Sequence, residues 1–111
     1  MKKGFVIKFT HRNIADIHFD GKDIIIYRII QEALTNTIKH AEAKQTEITL
    51  NHKDGKVSLT IKDDGKGFDP KINKGGRGLK NIVTRSLWLK GNINIDSTPG
   101  RGTTITTEFP V

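Results

Sequence analysis

The chain has 111 residues, enough for one domain with a modest core. Nineteen Lys and Arg against 12 Asp and Glu leave a formal charge of +7, which favours an anionic partner such as a nucleotide, a nucleic acid, an acidic protein or a membrane surface. The sequence contains no cysteine, which excludes disulfides and Cys-ligated metal sites; no apolar run approaches the length that spans a bilayer. Hydrophobic residues are only 34% of the chain, yet they are grouped periodically, which reads as a folded domain and not as disorder.

Phe5, Ile7 and Phe9 alternate with other residues, so Gly4–Thr10 is a candidate strand. His11–Lys22 reads as a polar connection, with Asp20 or Asp23 placed to cap the helix that follows. Asp23 to Ala41 reads as one helix. Ile26, Ile30, Ala33, Leu34, Ile38 and Ala41 recur at three- and four-residue steps and form an apolar face. Glu32, Asn36 and His40 form a polar stripe along its margin, with Lys39 on the outer side. Such a stripe either faces a polar ligand held between the helix and its packing partner, or is a solvated flank. Thr46–Asn51 and Lys56–Lys62 then alternate, and Asp54-Gly55 between them predicts an antiparallel hairpin.

The alternation breaks at Asp63–Pro70 (DDGKGFDP), followed by the polar segment Lys71–Gly76. Leu79–Leu89 returns to helical spacing through Leu79, Ile82, Val83 and Leu87, with Gly91 as its expected C-terminal cap. Trp88 fits either the core or a docking surface. Ile93 and Ile95 mark a strand, Thr98–Gly102 a turn, and the Thr-rich Thr103–Phe109 a closing strand. Hairpins dominate and the helices come separately. This predicts an α+β two-layer sandwich, a mostly antiparallel sheet with helices on one face, in a single domain over 1–111.

Two loops carry candidate chemistry. In DDGKGF a carboxylate stands at a strand end beside glycines that let a ligand approach the backbone; the same residues also suit an ordinary turn. Gly75-Gly76-Arg77-Gly78-Leu79 opens the second helix, where free N–H groups and nearby Lys71, Lys74 and Arg77 suit an anion; a flexible linker ending in a helix reads equally well. No GxxxxGK[ST] or GxGxxG occurs, which excludes a Walker loop and a dinucleotide fingerprint.

The joint order of these features resembles the superfamily that contains histidine kinases, type II topoisomerase ATPases, Hsp90 chaperones and MutL proteins, with its Bergerat-type ATP-binding fold. The nearest likeness is to the catalytic ATP-binding domain of sensor histidine kinases of the NarX and DesK type. QEALTNTIKHA looks like their N box, DDGKGFDP and GRGLKNI like their two glycine boxes, and IDSTPGRGT like their C-terminal stretch. RSLWLKGNINI departs from the commoner small-residue, double-Gly pattern.

The resemblance implies ATP and Mg²⁺ as cofactors. It places Asn36 on the metal, Glu32 as the orienter of a metal-bound water or a base, Lys39 on phosphate and His40 beside the nucleotide. It makes Asp63 the acceptor for the adenine amino group, supported by Thr103, with Gly65 and Gly67 giving close approach. Gly76, Arg77, Gly78 and Leu79 would frame the phosphates. The implied partners are a histidine-bearing dimerisation domain of the parent chain and a response regulator. The resemblance implies no nucleic acid and no direct membrane contact from this domain, a cytoplasmic location, and a chain that is a fragment of a kinase whose other parts can be membrane-anchored. Two other readings compete. One is a serine kinase of the anti-sigma type with the same fold. The other is a non-catalytic basic module with a degenerate nucleotide pocket, against which one Trp and one Tyr leave few platforms for stacking bases.

Overall fold

Among the described residues, periodicity in the sequence becomes five strands and two helices in the predicted order. The computed structural model describes residues 5–15, 17–38, 43–69 and 76–111. The elements are β1 (Val6–Arg12), α1 (Lys22–Asn36), β2 (Gln45–Lys53), β3 (Lys56–Asp63), α2 (Gly76–Trp88), β4 (Asn92–Ser97) and β5 (Thr103–Pro110). They form one mixed sheet in the order β1-β2-β3-β5-β4. β1 and β2 are parallel, because a helical crossover joins them; every other neighbour is antiparallel. The β2–β3 hairpin closes through Asp54 and Gly55, both at positive φ, the backbone that a tight two-residue turn demands.

Strand alternation sorts the sheet into two faces. Ile48, Ile61 and Ile105 are buried side by side across β2, β3 and β5, with half-buried Ile95 of β4 beyond them. Leu50, Leu59 and Thr107 make the next row, Val57 and Phe109 the one after. This face meets Ile26, Ile29 and Ala33 of α1 and Leu79 and Ile82 of α2 in one core. Each of these isoleucine and leucine side chains gains roughly 1.5–3 kcal/mol from burial, so α1 is held by its packing and not by its termini.

Several expectations shift. The buried stripe of α1 runs through Ile26, Ile29, Ala33 and Thr37; Ile30 and Leu34 lie at its margin. Neither Asp20 nor Asp23 caps the helix: the N-cap is Gly21, with no side-chain hydrogen bond. The connection before it is less polar than it reads, since Ile14 and Phe19 pack against the core. α2 ends in a Schellman motif whose left-handed residue is Lys90 (φ 61), with Lys90 N–H donating to Leu87 O and Gly91 N–H to Ser86 O. Gly91 serves instead as a point of contact with β5, where a Cβ would come 2.5 Å from the Glu108 carbonyl oxygen. Leu87 and Trp88 are exposed, and Ser86 and Leu89 occupy the buried positions. β1 is a strand, but all of its residues are exposed, Phe9 at 53%.

Candidate functional site

Both ends of the sandwich can be located from its contacts. Lys22, at the start of α1, donates through Nζ to Pro110 O (2.8 Å) and lies over the Phe109 ring. Gly91, just past α2, also abuts Glu108 and Phe109. The helices are therefore antiparallel, and the end of α1 and the start of α2 point to the opposite end of the sheet. There the isoleucine row gives way to a polar one: Thr46, Asp63, Thr103 and Ser97 are paired across β2, β3, β5 and β4, and all are buried.

Asp63 is the centre of this row. Its Oδ1 accepts from Gly65 N–H at 2.9 Å. Burial pushes its carboxyl above the ordinary value, partly offset by hydrogen bonds from the Gly65 and Thr103 backbones and from the Thr37 hydroxyl. Thr37 thus joins the site from the end of α1, where Thr37 and Ile38 continue the helix as a wider, π-type turn. Thr46 Oγ1, buried in the same row, has no hydrogen-bond partner.

The neighbouring Asp64 has the opposite environment. It is exposed, and its Oδ1 accepts from Lys44 N–H (2.8 Å) and Gln45 N–H (3.0 Å), which ties the start of β2 to the end of β3. The Gln45 hydrogen bond, more than any other interaction, holds its carboxyl below the ordinary carboxylate range. A depressed carboxyl stabilises the fold fully above the unfolded value and loses that contribution as pH falls through the folded one. Asp64→Ala is therefore expected to be less stable than the parent at neutral pH, with the difference shrinking as pH falls below 3.8. Denaturant unfolding across that range checks it; a pH-independent difference contradicts the clamp.

The first glycine-rich loop is latched to the β4–β5 turn. Gly100 N–H donates to Lys66 O (2.7 Å), and Phe68 N–H donates to Ser97 Oγ (2.9 Å). Ser97 Oγ also lies 2.8 Å from Thr103 Oγ1 and 3.2 Å from Gly102 O. A Cβ on Gly67 would collide with the Thr98 carbonyl, and one on Gly102 with the Asp63 carbonyl. These glycines are required by loop-on-loop packing around Asp63. Gly65 is buried beside the carboxylate.

Glu32 and Asn36 lie one turn apart on α1, both half-buried. Glu32 Oε1 accepts from Asn81 Nδ2 (3.3 Å) and pairs with Arg85 Nη1 (3.5 Å), both on α2. Gly76, Arg77 and Gly78 form the first turn of α2, and Leu79 is core. Lys39, His40 and the segment 70–75 lie outside the described residues. Among those described, the structure brings together Asp63, Gly65, Gly67 and Thr103 at one end, with Asn36 next to Thr37 at the end of α1 and Glu32 one turn back along the helix. It adds Thr37, Ser97 and Gly102, which lie inside the quoted motifs without a role being legible there, and Thr46, which only strand register brings in; Asn81 and Arg85 reach Glu32 from further along α2.

An α+β sandwich with a recessed acid at the end of a central strand, glycine loops beside it and two antiparallel helices above it defines a class. The chain belongs to the family of histidine kinase-, DNA gyrase B- and HSP90-like ATPases, which matches residues 21–111. Among curated proteins it is similar to sensor histidine kinases. It is 36% identical over 109 residues to the signal transduction histidine-protein kinase/phosphatase DegS of Brevibacillus brevis, covering 97% of this chain and 28% of that one. It is 35% identical over 106 residues to the oxygen sensor histidine kinase NreB of Staphylococcus carnosus, covering 91% and 30%. The chain thus spans under a third of the length of these relatives. In fold it is similar to a blue-light activated histidine kinase from Erythrobacter litoralis, with TM-score 0.73 and 19% identity over 98% of this chain and 36% of that one.

Proposed function

We propose that residues 1–111 are the ATP-binding catalytic domain of a sensor histidine kinase, a cytoplasmic part of a longer chain. The domain binds Mg–ATP at the Asp63 end and presents the γ-phosphate to a histidine on a separate dimerisation domain, from which a response regulator takes it. The observation that carries this reading is the recessed Asp63 carboxylate, flanked by the buried Gly65 backbone and by Thr103, at the end where α1 finishes and α2 starts.

The residues fit the cofactors. Asp63 is an acceptor held in place by its own loop, as an exocyclic amino group requires, and the unpartnered Thr46 hydroxyl adds unused polarity to the same row. Asn36 and Glu32 are oxygen donors suited to Mg²⁺. Among the described residues no group of three or more His, Cys, Asp or Glu could hold an ion, so a metal here would take most of its ligands from phosphate and water. When bound, Mg²⁺ supplies charge neutralisation to the transferring phosphoryl group. Asp63 orients the base, the first turn of α2 offers N–H groups to phosphate, and Asn36 and Glu32 stand on the metal side. Lys39 and His40 are assigned to phosphate and nucleotide on the resemblance alone.

None of the four histidines, His11, His18, His40 and His52, is followed by Asp or Glu as the family's acceptor usually is. Incubation with γ-labelled ATP and Mg²⁺ is therefore expected to leave this chain unlabelled, and to place acid-labile label on a supplied dimerisation domain of the kinase. Acid-stable label on Ser or Thr of a partner protein would indicate the serine-kinase reading. Salt-sensitive nucleic-acid binding without ATP binding would indicate the basic module.

A further inference from the structure

We infer that Arg85 and Asn81 of α2 are positioning residues for Glu32, and that through it they set the Mg²⁺ dependence of nucleotide binding. The inference rests on the reading of Glu32 and Asn36 as the metal side of a Mg–ATP site. Asn81 and Arg85 are four residues apart and so share one face of α2. Both reach across to the same carboxylate oxygen of α1, Asn81 Nδ2 at 3.3 Å and Arg85 Nη1 at 3.5 Å from Glu32 Oε1.

Arg85 Nη1 is buried and makes no hydrogen bond to any group. Its charge is therefore balanced at this place by Glu32, and a buried guanidinium nitrogen without that neighbour is costly. The pair is about a quarter exposed on each side, 24% and 28%, so water screens it less than a surface pair. An isolated glutamate on a helix samples several rotamers. Two contacts from a second helix restrict it, and both fall on Oε1. Among the described residues no hydrogen bond engages Oε2, which leaves that oxygen to act beside Asn36, one turn further along α1. A link made only to join the helices would be satisfied by any charge pair between α1 and α2. This one is made by the acid that the site uses.

Calorimetry with the 111-residue chain tests the inference, using a non-hydrolysable ATP analogue with and without Mg²⁺, and ADP without metal. In the parent, Mg²⁺ is expected to tighten the analogue at least tenfold. E32Q and R85Q should each remove most of that ratio, the double variant should lose no more than E32Q alone, and R85K should keep part of it. N81A should lower the ratio by less than R85Q, since Arg85 continues to hold the acid. Metal-free ADP affinity, which reads the Asp63 pocket, should stay within twofold in R85Q, R85K and N81A. Losses that multiply in the double variant, a parent-like ratio in R85Q, or a parallel loss of metal-free ADP affinity in R85Q, R85K or N81A would each overturn the inference and leave Arg85 as a packing residue. A parent chain that binds no adenine nucleotide would overturn the functional reading instead.

Discussion

Asp63→Ala is expected to abolish most adenine-nucleotide affinity while leaving the fold in place. The side chain contributes an ionised acceptor in a buried row, and hydrogen bonds to charged groups are worth about 1.5–3 kcal/mol. The loss expected is on the order of 10- to 100-fold in Kd. Asp63→Asn is the sharper variant. It keeps the shape but can turn an N–H₂ toward the amino group of the base, and its loss should be comparable to that of alanine. Calorimetry with ATP decides the matter, and unchanged binding in either variant would remove Asp63 from the site. Acid gives a second handle. Burial raises the Asp63 carboxyl whereas hydrogen bonds depress Asp64, so on acidification Asp63 takes up its proton first. Nucleotide affinity should therefore decline at a higher pH than the one at which the Asp64 clamp lets go.

Gly102→Ala is expected to destabilise the whole domain. Its φ of 77° already disfavours a side chain, and the added methyl would meet the Asp63 carbonyl, which is fixed in the β3–β5 ladder and cannot yield. Left-handed strain of about 1–2 kcal/mol and overpacking of about 1–3 kcal/mol together approach the stability of a small domain. Gly67→Ala, at φ 63° against the Thr98 carbonyl, should behave alike. Gly100→Ala is the control: its φ is 83° but nothing lies within 4 Å, so only the conformational cost remains. Urea unfolding of the three variants should separate Gly100 from the other two. Equal losses at all three would mean that the two loops are not latched.

The ease with which each part could be read follows from how local its cause is. The β2–β3 hairpin was legible because Asp54-Gly55 and the alternation on both sides act over a few residues. The α1 pattern was legible as a helix, but its buried centre at Ile29 was not, since the choice among Ile25, Ile26, Ile29 and Ile30 depends on how the helix rolls on the sheet. Lys90 took the left-handed position expected of Gly91, because the approach of β5 gave the glycine another task. Asp63 and Thr103 could be proposed from their motifs. Thr46 and Ser97 could not, because only the register of four strands brings them into one row. The Asn81–Glu32–Arg85 contact likewise depends on the antiparallel seating of the two helices, which no periodicity encodes. β1 shows the converse: its alternation foretold a strand, and nothing in the pattern told that Ile7 and Phe9 would lie exposed.

The place of β5 in the sheet has a consequence for how the protein comes into being. β5 is the last strand in the sequence, yet it lies between β3 and β4. A nascent polypeptide leaving the ribosome can close the β2–β3 hairpin early, but the central wall of the sheet and one side of the Asp63 row are missing until Thr103–Pro110 has been translated. Long-range pairings of this kind form slowly and late. Affinity for a ligand at that end is thus gained in a single closing event, and a ribosome-bound chain stopped before Thr103 would offer chaperones an open apolar face in place of a site.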